Sequence, residues 1–313
     1  MVFFLTQPDG VGHIRLFVDR YGRDLGRDLV EMTYQQLLRR GSAPPGVYVF
    51  TDQQLMNPSQ KRIAGWVREQ LSRSPATHRV VNDPEKQLGR FQYIEALNAA
   101  GLSNFRIHRL KGLAPEYVRF PVFLRIEDDH MGPRSELLKT WDEVIRAAAL
   151  LVLAGFAKDR IVVVEFIDTR CSDGLYRKYG AFRVGERIIC QHVLHSAVWL
   201  SKRETTIRDP EMIDSSDRFY IENPHEQILM PYFELARIEY GRIDYAMLGD
   251  RPQVWEINDN PTFVTRKSGG LSKVPKGQRF VDAFAALAQD LIPGDEVELR
   301  LPLRAILNWM ESN

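Results

Sequence analysis

The amino-acid sequence predicts an α/β protein, and three observations support this class. Over the first 112 residues, short apolar runs of strand length alternate with longer segments of helical periodicity. Later in the chain, further apolar runs of strand length are separated by polar loops and helical segments. Near residue 250, two such runs flank Leu248-Gly249-Asp250-Arg251-Pro252, which indicates a β-hairpin. Alternating strands and helices are typical of α/β folds.

The first region predicts a small N-terminal α/β lobe. Apolar residues at helical spacing predict a helix over residues 24–40, and the turn at 42–46 ends it. We expect Thr51 or Asp52 to cap the second helix. The other expected elements of the lobe are strands at 47–50 and 80–81 and helices at about 52–73 and 85–100. No glycine-rich phosphate loop occurs in this region of the sequence.

The second region begins after a hinge near residues 111–115, which contain Gly112 and Pro115. The expected strands are 120–126, 161–167, 178–185, 187–194, 242–248 and 252–258. The expected helices are about 136–155, a polar helical stretch that fills 200–240, about 278–291 and one near the C-terminus. We therefore divide the chain into a lobe at 1–112 and a larger domain at 113–313, the latter with subdomains at about 113–168 and 169–313.

The composition excludes several functional classes. The chain has 313 residues, 44% of them hydrophobic and 27% charged, with a formal net charge of +1. This balance argues against a nucleic-acid partner, and the longest apolar stretch, 147–157, is about half a membrane span. Cys171 and Cys190 lack the spacing of a zinc site or a disulfide framework. We therefore expect a cytoplasmic protein with no membrane partner.

Polar side chains share one face of the predicted hairpin. Residues two apart in a strand project to the same side, so Glu256 and Asn258 share a face, whereas Trp255 lies on the other. The same rule places Arg242 and Asp244 together on the partner strand. The hairpin turn can bring the two polar faces side by side. A solvated surface hairpin is the alternative interpretation.

This set of side chains suits a magnesium ion and a phosphate. Mg²⁺ prefers carboxylate and carbonyl oxygens and keeps phosphate oxygens and waters as its other ligands. Arg242 can hold a phosphoryl oxygen or an oxyanion beside the metal. The sequence therefore predicts a magnesium–ATP site at the hairpin.

The hairpin resembles the closing motif of the ATP-grasp superfamily, and in particular that of D-alanine–D-alanine ligases and related carboxylate–amine ligases. That motif is Arg-x-Asp followed by Glu-x-Asn-x-x-Pro, which here reads Arg242-Ile243-Asp244 and Glu256-Ile257-Asn258-Asp259-Asn260-Pro261. The resemblance implies an ATP-grasp fold behind an N-terminal α/β lobe. It also implies that Asp244, Glu256 and Asn258 hold two magnesium ions, with Glu256 bridging them. Mn²⁺ is an alternative metal.

Two further segments resemble phosphate-binding parts of this superfamily. Pro121-Val122-Phe123-Leu124-Arg125 stands where the family has Pro-x-x-x-Lys, so the resemblance implies that Arg125 contacts phosphates in place of the lysine. The segment 128–135 resembles the mobile glycine-rich loop, although it has a single glycine. The resemblance assigns Gly132, Arg134 and Ser135 to this loop. His130 is either a phosphate contact or proton acceptor, or merely a polar surface residue.

The remaining site residues are also implied by the resemblance. The strand that ends in Glu165-Phe166-Ile167-Asp168 resembles the hinge that binds adenine, with Asp168, or alternatively Asp173, near the ribose. Basic residues of the following strands and loop would reach the phosphates, and the candidates are Lys178, Arg183 and Lys202. Cys190, His192 and His195 are assigned to strand packing rather than to a metal site.

The resemblance implies an enzyme that uses ATP and magnesium to activate a carboxylate as an acyl phosphate, which an amine or similar nucleophile then attacks. Arg242, Lys202 and His130 are the catalytic candidates. A small-molecule phosphotransferase and a non-catalytic ATP-binding protein are the alternatives. The expected partners are small-molecule substrates, and a homodimer is left open.

Overall fold

Four β-sheets flanked by helices make up the protein in a computed structural model that describes residues 1–21, 28–127, 129, 131–201, 205–263, 276–300, 302 and 304. Among the helices of these residues, none has the length and apolar character required to cross a membrane. The predicted α/β class is confirmed. The helix expected near the C-terminus lies outside the described residues, apart from Arg304.

The N-terminal lobe is built on a parallel sheet of four strands in the order β2-β1-β4-β5. The strands are β1 (Val2–Thr6), β2 (Leu29–Thr33), β4 (Gly46–Phe50) and β5 (His78–Val81). The helices of the lobe are α1 (His13–Tyr21), α2 (Tyr34–Arg40) and α3 (Pro58–Leu71). Every residue of β1 and β4 is buried, because central strands of a parallel sheet are covered on both faces.

The structure corrects the sequence-based elements of this lobe in two places. The predicted helix over 24–40 is wrong for residues 29–33, which form the edge strand β2, and the helix begins only after Thr33, whose side chain caps it. Helix α3 begins after Asn57, which accepts a hydrogen bond from the Gln60 amide, and not after Thr51 or Asp52. Asp52 instead adopts a left-handed conformation at φ 58°.

The next part of the chain forms a three-stranded antiparallel sheet in the order β6-β8-β7. Helix α4 (Arg90–Ala99) leads to β6 (Ile107–Arg109), which is followed by β7 (Val122–Ile126), α5 (Trp141–Leu153) and β8 (Ile161–Glu165). Val144, Ala148 and Leu151 of α5 pack on this sheet at helical spacing. Strand β6 precedes the hinge expected at 111–115 and nevertheless pairs with β8. The division into domains remains a proposal.

A second antiparallel sheet, in the order β10-β9-β11-β12, carries the predicted hairpin. Its strands are β9 (Tyr176–Val184), β10 (Arg187–Ser196), β11 (Tyr240–Leu248) and β12 (Arg251–Asn258). Two helices, α6 (Pro210–Glu222) and α7 (Glu226–Ala236), lie between β10 and β11 in the chain. Ile243, Val254 and Ile257 pack with Phe233 of α7 in one apolar cluster. This face is the buried one, so the opposite face is available for the site.

The chain then returns to the N-terminal lobe. Helix α8 (Gly277–Leu287) packs Phe280 and Phe284 into the same apolar cluster as Phe4 of β1. The short strand β13 (Val297–Glu298) pairs with β3 (Ser42–Ala43). The lobe is therefore completed by residues from the last forty positions of the chain.

The segment that follows β12 connects the second half of the protein to the N-terminal lobe through hydrogen bonds. The Asn260 side-chain amide donates to Asp52 Oδ1 at 2.9 Å, Thr6 Oγ1 at 3.1 Å and the Gly10 carbonyl at 3.2 Å. Asp259 accepts from the Gln53 amide at 3.0 Å, and burial raises the pKa of Asp259 to about 7. These contacts lie at the carboxyl ends of β1 and β4. They hold Asn258, which the sequence predicts as a metal ligand, next to the N-terminal lobe.

Candidate active site

The site begins with the register of the β11–β12 hairpin. Arg242 lies opposite Asn258, and Asp244 lies opposite Glu256. All four side chains therefore share one face of the sheet, as the sequence predicts. Directly opposed residues of antiparallel strands have Cβ atoms about 4.5–5.5 Å apart, so the two carboxylates can act on one ligand.

A β-bulge changes the position of one aromatic residue. The register shifts after Asp244, so that Tyr245 pairs with Val254 and Trp255 is left as the extra residue. Trp255 consequently lines the same cavity as Asp244 and Glu256. Its expected position on the opposite face is wrong, because strict alternation does not hold across a bulge.

A cavity of about 370 Å³ opens over this face of the sheet. It lies between the β6-β8-β7 sheet and the β10-β9-β11-β12 sheet, since residues of both sheets line it. Seven of the residues implied by the sequence meet in its wall: Arg125, Gly132, Phe166, Ile167, Lys178, Asp244 and Glu256. The volume is within the range of small-molecule sites in proteins, about 300–1,000 Å³.

Asp244 is buried and is held by two cations. Lys178 Nζ lies 2.7 Å from Asp244 Oδ2, and Arg242 Nε donates to Asp244 Oδ1 at 2.9 Å. Burial opposes ionisation of Asp244, but Arg242 and Lys178 outweigh it and hold its pKa well below the usual range. Asp244 is therefore an anion in the folded protein.

Glu256 is also held by two cations, which come from elsewhere in the chain. Arg90 Nη2 donates to Glu256 Oε2 at 2.5 Å, and Arg125 Nη2 donates to the same oxygen at 3.1 Å. Burial again disfavours the charged form, but the two arginines lower the pKa of Glu256 below its usual value. The second carboxylate of the site is therefore ionised as well.

Three cationic side chains, Arg125, Arg177 and Lys178, line the cavity together with the two carboxylates, so its lining keeps a net positive charge. Among the described residues, Arg125 Nε is buried without a hydrogen-bond partner. A buried donor without a partner is costly, and a ligand oxygen that accepts from it recovers that cost. Burial and the neighbouring Arg90 lower the pKa of Arg125. An anionic ligand such as a polyphosphate fits this wall.

The donor set at the hairpin fits magnesium. Asp244 and Glu256 supply ionised carboxylates, and Asn258 supplies an amide oxygen that accepts from the Asn260 amide at 2.8 Å. Within the described residues, no group of three or more histidine, cysteine, aspartate or glutamate side chains has the arrangement of a metal site. A site of two carboxylates and one amide leaves coordination positions for phosphate oxygens.

Aromatic side chains surround the other end of the cavity. Trp199 packs against Phe123 with ring centroids 5.2 Å apart and against Phe166 at 5.6 Å. All three line the cavity together with Ile167 and Trp255. The backbone amide of Phe166 donates to the Pro121 carbonyl at 2.9 Å, which fixes the segment that leaves β8. A planar apolar group such as a nucleobase suits this end.

Two residues of the predicted adenine hinge do not line the cavity. Glu165 is buried and accepts hydrogen bonds from the Arg106 amide at 3.1 Å and the Arg119 amide at 3.0 Å, so it ties two loop segments to β8. The Asp168 side chain is 53% exposed and accepts from the Arg170 amide at 3.0 Å. Their contacts with a nucleotide stay predictions.

Two residues of the predicted phosphate loop already have partners within the protein. Arg134 Nε donates to Asp129 Oδ2 at 2.7 Å, and the Arg134 guanidinium lies over the Phe156 ring. Ser135 Oγ accepts from the Leu124 amide at 2.9 Å. Gly132, at φ 83°, lines the cavity. Phosphate contacts from Arg134 and Ser135 would require these bonds to exchange, and they stay predictions.

Two catalytic candidates, His130 and Lys202, lie outside the described residues. Of the alternatives weighed with them, Arg183 is buried and donates to the Gly185 carbonyl at 2.7 Å, and Asp173 pairs with Arg177. His192 is packed over Gly180, where an added Cβ would lie 2.3 Å from its ring. Burial, followed by the charge of Arg242, lowers the pKa of His192 to about 3, so the imidazole is neutral.

The sequence reasoning missed Arg90 and Trp199. Arg90 is the first residue of α4 and carries the shortest contact to Glu256, yet 166 positions separate the two in the chain. Trp199 lies in an irregular segment after β10. Neither residue belongs to a periodic pattern in the sequence that would indicate a site. An arginine at the first position of an otherwise apolar helix face was the one available signal for Arg90.

Comparisons with known proteins show which fold this chain has. No family model matches the chain, and no curated protein matches it. Among solved structures, D-alanine–D-alanine ligase from Bacillus anthracis complexed with ATP is 13% identical, covers 99% of this chain and 98% of its own, and has a TM-score of 0.50. The ATP-grasp ligase PsnB complexed with a minimal precursor, Mg and ADP is 16% identical, with coverages of 92% and 98% and a TM-score of 0.54.

A third similar structure is the RimK domain protein ATP-grasp from Sphaerobacter thermophilus. It is 14% identical, covers 93% of this chain and 99% of its own, and has a TM-score of 0.50. The similarity extends over nearly the whole length of each chain, including the N-terminal lobe. This chain therefore has the ATP-grasp fold, which confirms the fold that its closing motif implied.

Proposed function

We propose that this protein is an ATP- and magnesium-dependent ligase that activates a substrate carboxylate as an acyl phosphate. The observation that carries the proposal is the pair of ionised carboxylates, Asp244 and Glu256, which lie at opposed positions in the cavity and are each paired with two cationic side chains. The ATP-grasp fold supports it, since similar structures include a D-alanine–D-alanine ligase complexed with ATP and the ligase PsnB complexed with Mg and ADP.

The nucleotide would lie along the cavity with its base at the aromatic end. Phe166 and Ile167 would contact the base, and Arg125 and Lys178 would contact the phosphates. The segment that contains Gly132 would cover the phosphates, because a glycine lets the backbone approach an anion closely. Arg134, Ser135, Glu165 and Asp168 are proposed as further nucleotide contacts or supports.

Asp244, Glu256 and Asn258 would hold the metal. We propose that these residues would hold two magnesium ions, and Mn²⁺ is the alternative metal. When bound, the metal would neutralise the triphosphate and hold its oxygens. Lys178 and Arg125, which neutralise the carboxylates in the absence of ligands, would then be free to contact phosphate oxygens.

The reaction needs no nucleophilic side chain. An oxygen of the substrate carboxylate attacks the γ-phosphorus, the bond from that phosphorus to the bridging oxygen breaks, and ADP leaves. An amine then attacks the acyl carbon, loses a proton, and inorganic phosphate leaves. The residues of the site act by positioning and by charge stabilisation.

Arg242 is proposed to stabilise the oxygen that gains charge at the acyl carbon. It lies beside the metal carboxylate Asp244, and its Nη1 donates to the Thr262 carbonyl at 3.4 Å. His13 reaches the same residue from the N-terminal lobe, with Nε2 3.4 Å from Thr262 Oγ1. The acceptor substrate would therefore approach between the N-terminal lobe and Arg242. Lys202 and His130 are proposed as additional catalytic groups.

The test is to incubate the purified protein with ATP, magnesium and a panel of carboxylates in the presence of hydroxylamine. ADP release together with a hydroxamate would support the proposal, because hydroxylamine traps acyl phosphates. ADP with a phosphorylated acceptor and no hydroxamate would identify a phosphotransferase instead. Tight ATP binding without turnover on any carboxylate would identify a non-catalytic ATP-binding protein.

A further inference from the structure

Arg90 occupies an unusual position at the junction of three parts of the protein. It is the first residue of α4, and only 4% of its surface is exposed. The helix itself is anchored through Tyr93, Ile94 and Leu97, which belong to two apolar clusters. The guanidinium of Arg90 therefore projects from a fixed base.

The guanidinium group of Arg90 joins two segments that adjoin different sheets of the protein. Arg90 Nη1 donates to the Glu127 carbonyl at 2.7 Å and to the Asp129 carbonyl at 3.0 Å. Arg90 Nη2 donates to Glu256 Oε2 at 2.5 Å. The two carbonyls belong to the segment that leaves β7 toward Gly132, whereas Glu256 belongs to β12 of the other sheet.

Arginine is suited to this position because its planar fork offers donors in several fixed directions. A lysine offers its donors from a single nitrogen and cannot span the same acceptors. Arg125 contacts the same oxygen of Glu256, but the described residues show no hydrogen bond from its side chain to the loop carbonyls. Among the described residues, Arg90 is therefore the side chain whose hydrogen bonds reach both the carboxylate and the loop carbonyls.

We infer that Arg90 is a positioning residue that couples Glu256 to the start of the phosphate-covering segment, through the carbonyls of Glu127 and Asp129. A change at Glu256, such as its engagement by a metal ion, alters the acceptor of Arg90 Nη2 and so alters how firmly Arg90 holds the Glu127 and Asp129 carbonyls. This inference rests on the proposed function in that the segment is taken to cover the phosphates. The coupling itself is a property of the protein without ligands.

Hydrogen exchange of the ligand-free protein tests the coupling. The reporters are the Asp129 amide, which donates to the Ile126 carbonyl, and the Arg134 amide, which donates to the Leu124 carbonyl. Arg90→Met removes all three hydrogen bonds at similar side-chain length, and we expect both amides to exchange about tenfold faster, which corresponds to about 1.4 kcal/mol. Arg90→Lys should recover part of the protection, because its ammonium still donates to a carbonyl.

A double-mutant cycle separates coupling from independent effects. Glu256→Gln should also speed exchange of the reporter amides, but it should add little in the Arg90→Met background. Arg68→Met is the matched control: it removes an arginine of α3 that pairs with Asp83, and it should leave loop exchange close to that of the wild type. Arg90→Lys keeps the test valid if Arg90→Met fails to fold.

Additive effects of Arg90→Met and Glu256→Gln, or wild-type exchange in Arg90→Met, would overturn the inference. Equal exchange rates of the reporter amides in Arg90→Lys and Arg90→Met would also overturn the inference. They would show that the loss of side-chain packing, and not the loss of hydrogen bonds, causes the effect. These measurements need neither substrate nor turnover. A wild-type protein that forms no hydroxamate would therefore refute the ligase proposal and leave this result intact.

Discussion

At the scale of single residues, the site is organised by the pairing of buried charges. Each carboxylate of the hairpin is shared by two cations: Asp244 by Lys178 and Arg242, and Glu256 by two arginines. A buried carboxylate that loses such partners is strongly destabilised, so these charges depend on one another. A ligand that binds these two carboxylates would therefore have to replace some of their present ionic partners.

Glu256→Gln tests the role of the Glu256 carboxylate in binding the metal. The amide carries no charge for a metal ion, so we expect the affinity for magnesium and a non-hydrolysable ATP analogue to fall at least about tenfold. Isothermal titration calorimetry with and without magnesium measures this change. Glu69→Gln on the exposed face of α3 is the control. Unchanged magnesium-dependent binding in Glu256→Gln would refute the site.

The two cysteines should differ in reactivity because their environments differ. Burial raises the pKa of Cys190 to about 12, so at pH 8 almost none of it is thiolate, and Cys171 is partly exposed. The thiolate is the reactive form. We expect iodoacetamide to modify Cys171 in the native protein and to spare Cys190 until the protein is unfolded in urea. Peptide mass spectrometry measures both rates, and equal native rates would contradict the burial of Cys190.

At the scale of elements, the hairpin is well predicted and the edge strand β2 is not. The β11–β12 pattern is local: alternation, a two-residue turn and polar residues two apart all lie within about twenty positions. Residues 29–33 carry apolar side chains that fit either a helical stripe or a strand, and every residue of β2 is only partly buried. Pairing with β1 decides the outcome, and pairing is not visible in the local sequence.

The same distinction explains the candidate site. Asp244, Glu256, Asn258 and Arg242 could be predicted because one motif contains all of them. Arg90 could not, because its hydrogen-bond partners lie 37 and 166 positions away. The position of Trp255 in the cavity could not be predicted either, since a bulge depends on the pairing of β12 with β11.

The loop after β12 provides a prediction at the element scale. Asn260→Ala removes the three hydrogen bonds that the amide donates to the N-terminal lobe. Unpaired buried acceptors remain, so we expect a loss of about 1–3 kcal/mol in the free energy of unfolding. Urea unfolding followed by circular dichroism measures it. Asn98→Ala, whose side chain bonds within α4 and its following turn, is a comparison variant that leaves the lobe contact intact. Weaker magnesium-dependent nucleotide binding should accompany the loss only in Asn260→Ala.

At the scale of the whole molecule, the cavity lies between two sheets that belong to different parts of the fold. A ligand that contacts both sheets stabilises the folded state relative to the unfolded one by mass action. The N-terminal lobe is the third part of the fold, and it is joined to the segment after the hairpin by the hydrogen bonds of Asn260 and Asp259. Ligand binding should therefore raise the free energy of unfolding of the whole protein.

Metal removal tests this expectation. With magnesium and a non-hydrolysable ATP analogue at about 100 times the dissociation constant, the folded state should gain about 2.7 kcal/mol. Differential scanning fluorimetry should show a higher Tm, and EDTA should reverse most of the gain if the metal carries the interaction at Asp244 and Glu256. A shift of equal size in EDTA would show that nucleotide binding does not use the metal site.

The return of α8 to the N-terminal lobe has a consequence for biosynthesis. The apolar cluster that contains Phe4 and Phe17 is completed by Phe280, Phe284 and Leu287 of α8. The parallel sheet of the N-terminal lobe is synthesised first, so this side of it stays uncovered until some 280 residues have left the ribosome. At roughly 5–20 residues per second, the nascent lobe is exposed to chaperones and proteases for much of its synthesis. A fragment cut at the apparent hinge near residue 112 would display the same uncovered aromatic surface, and we expect it to aggregate unless α8 is supplied in trans.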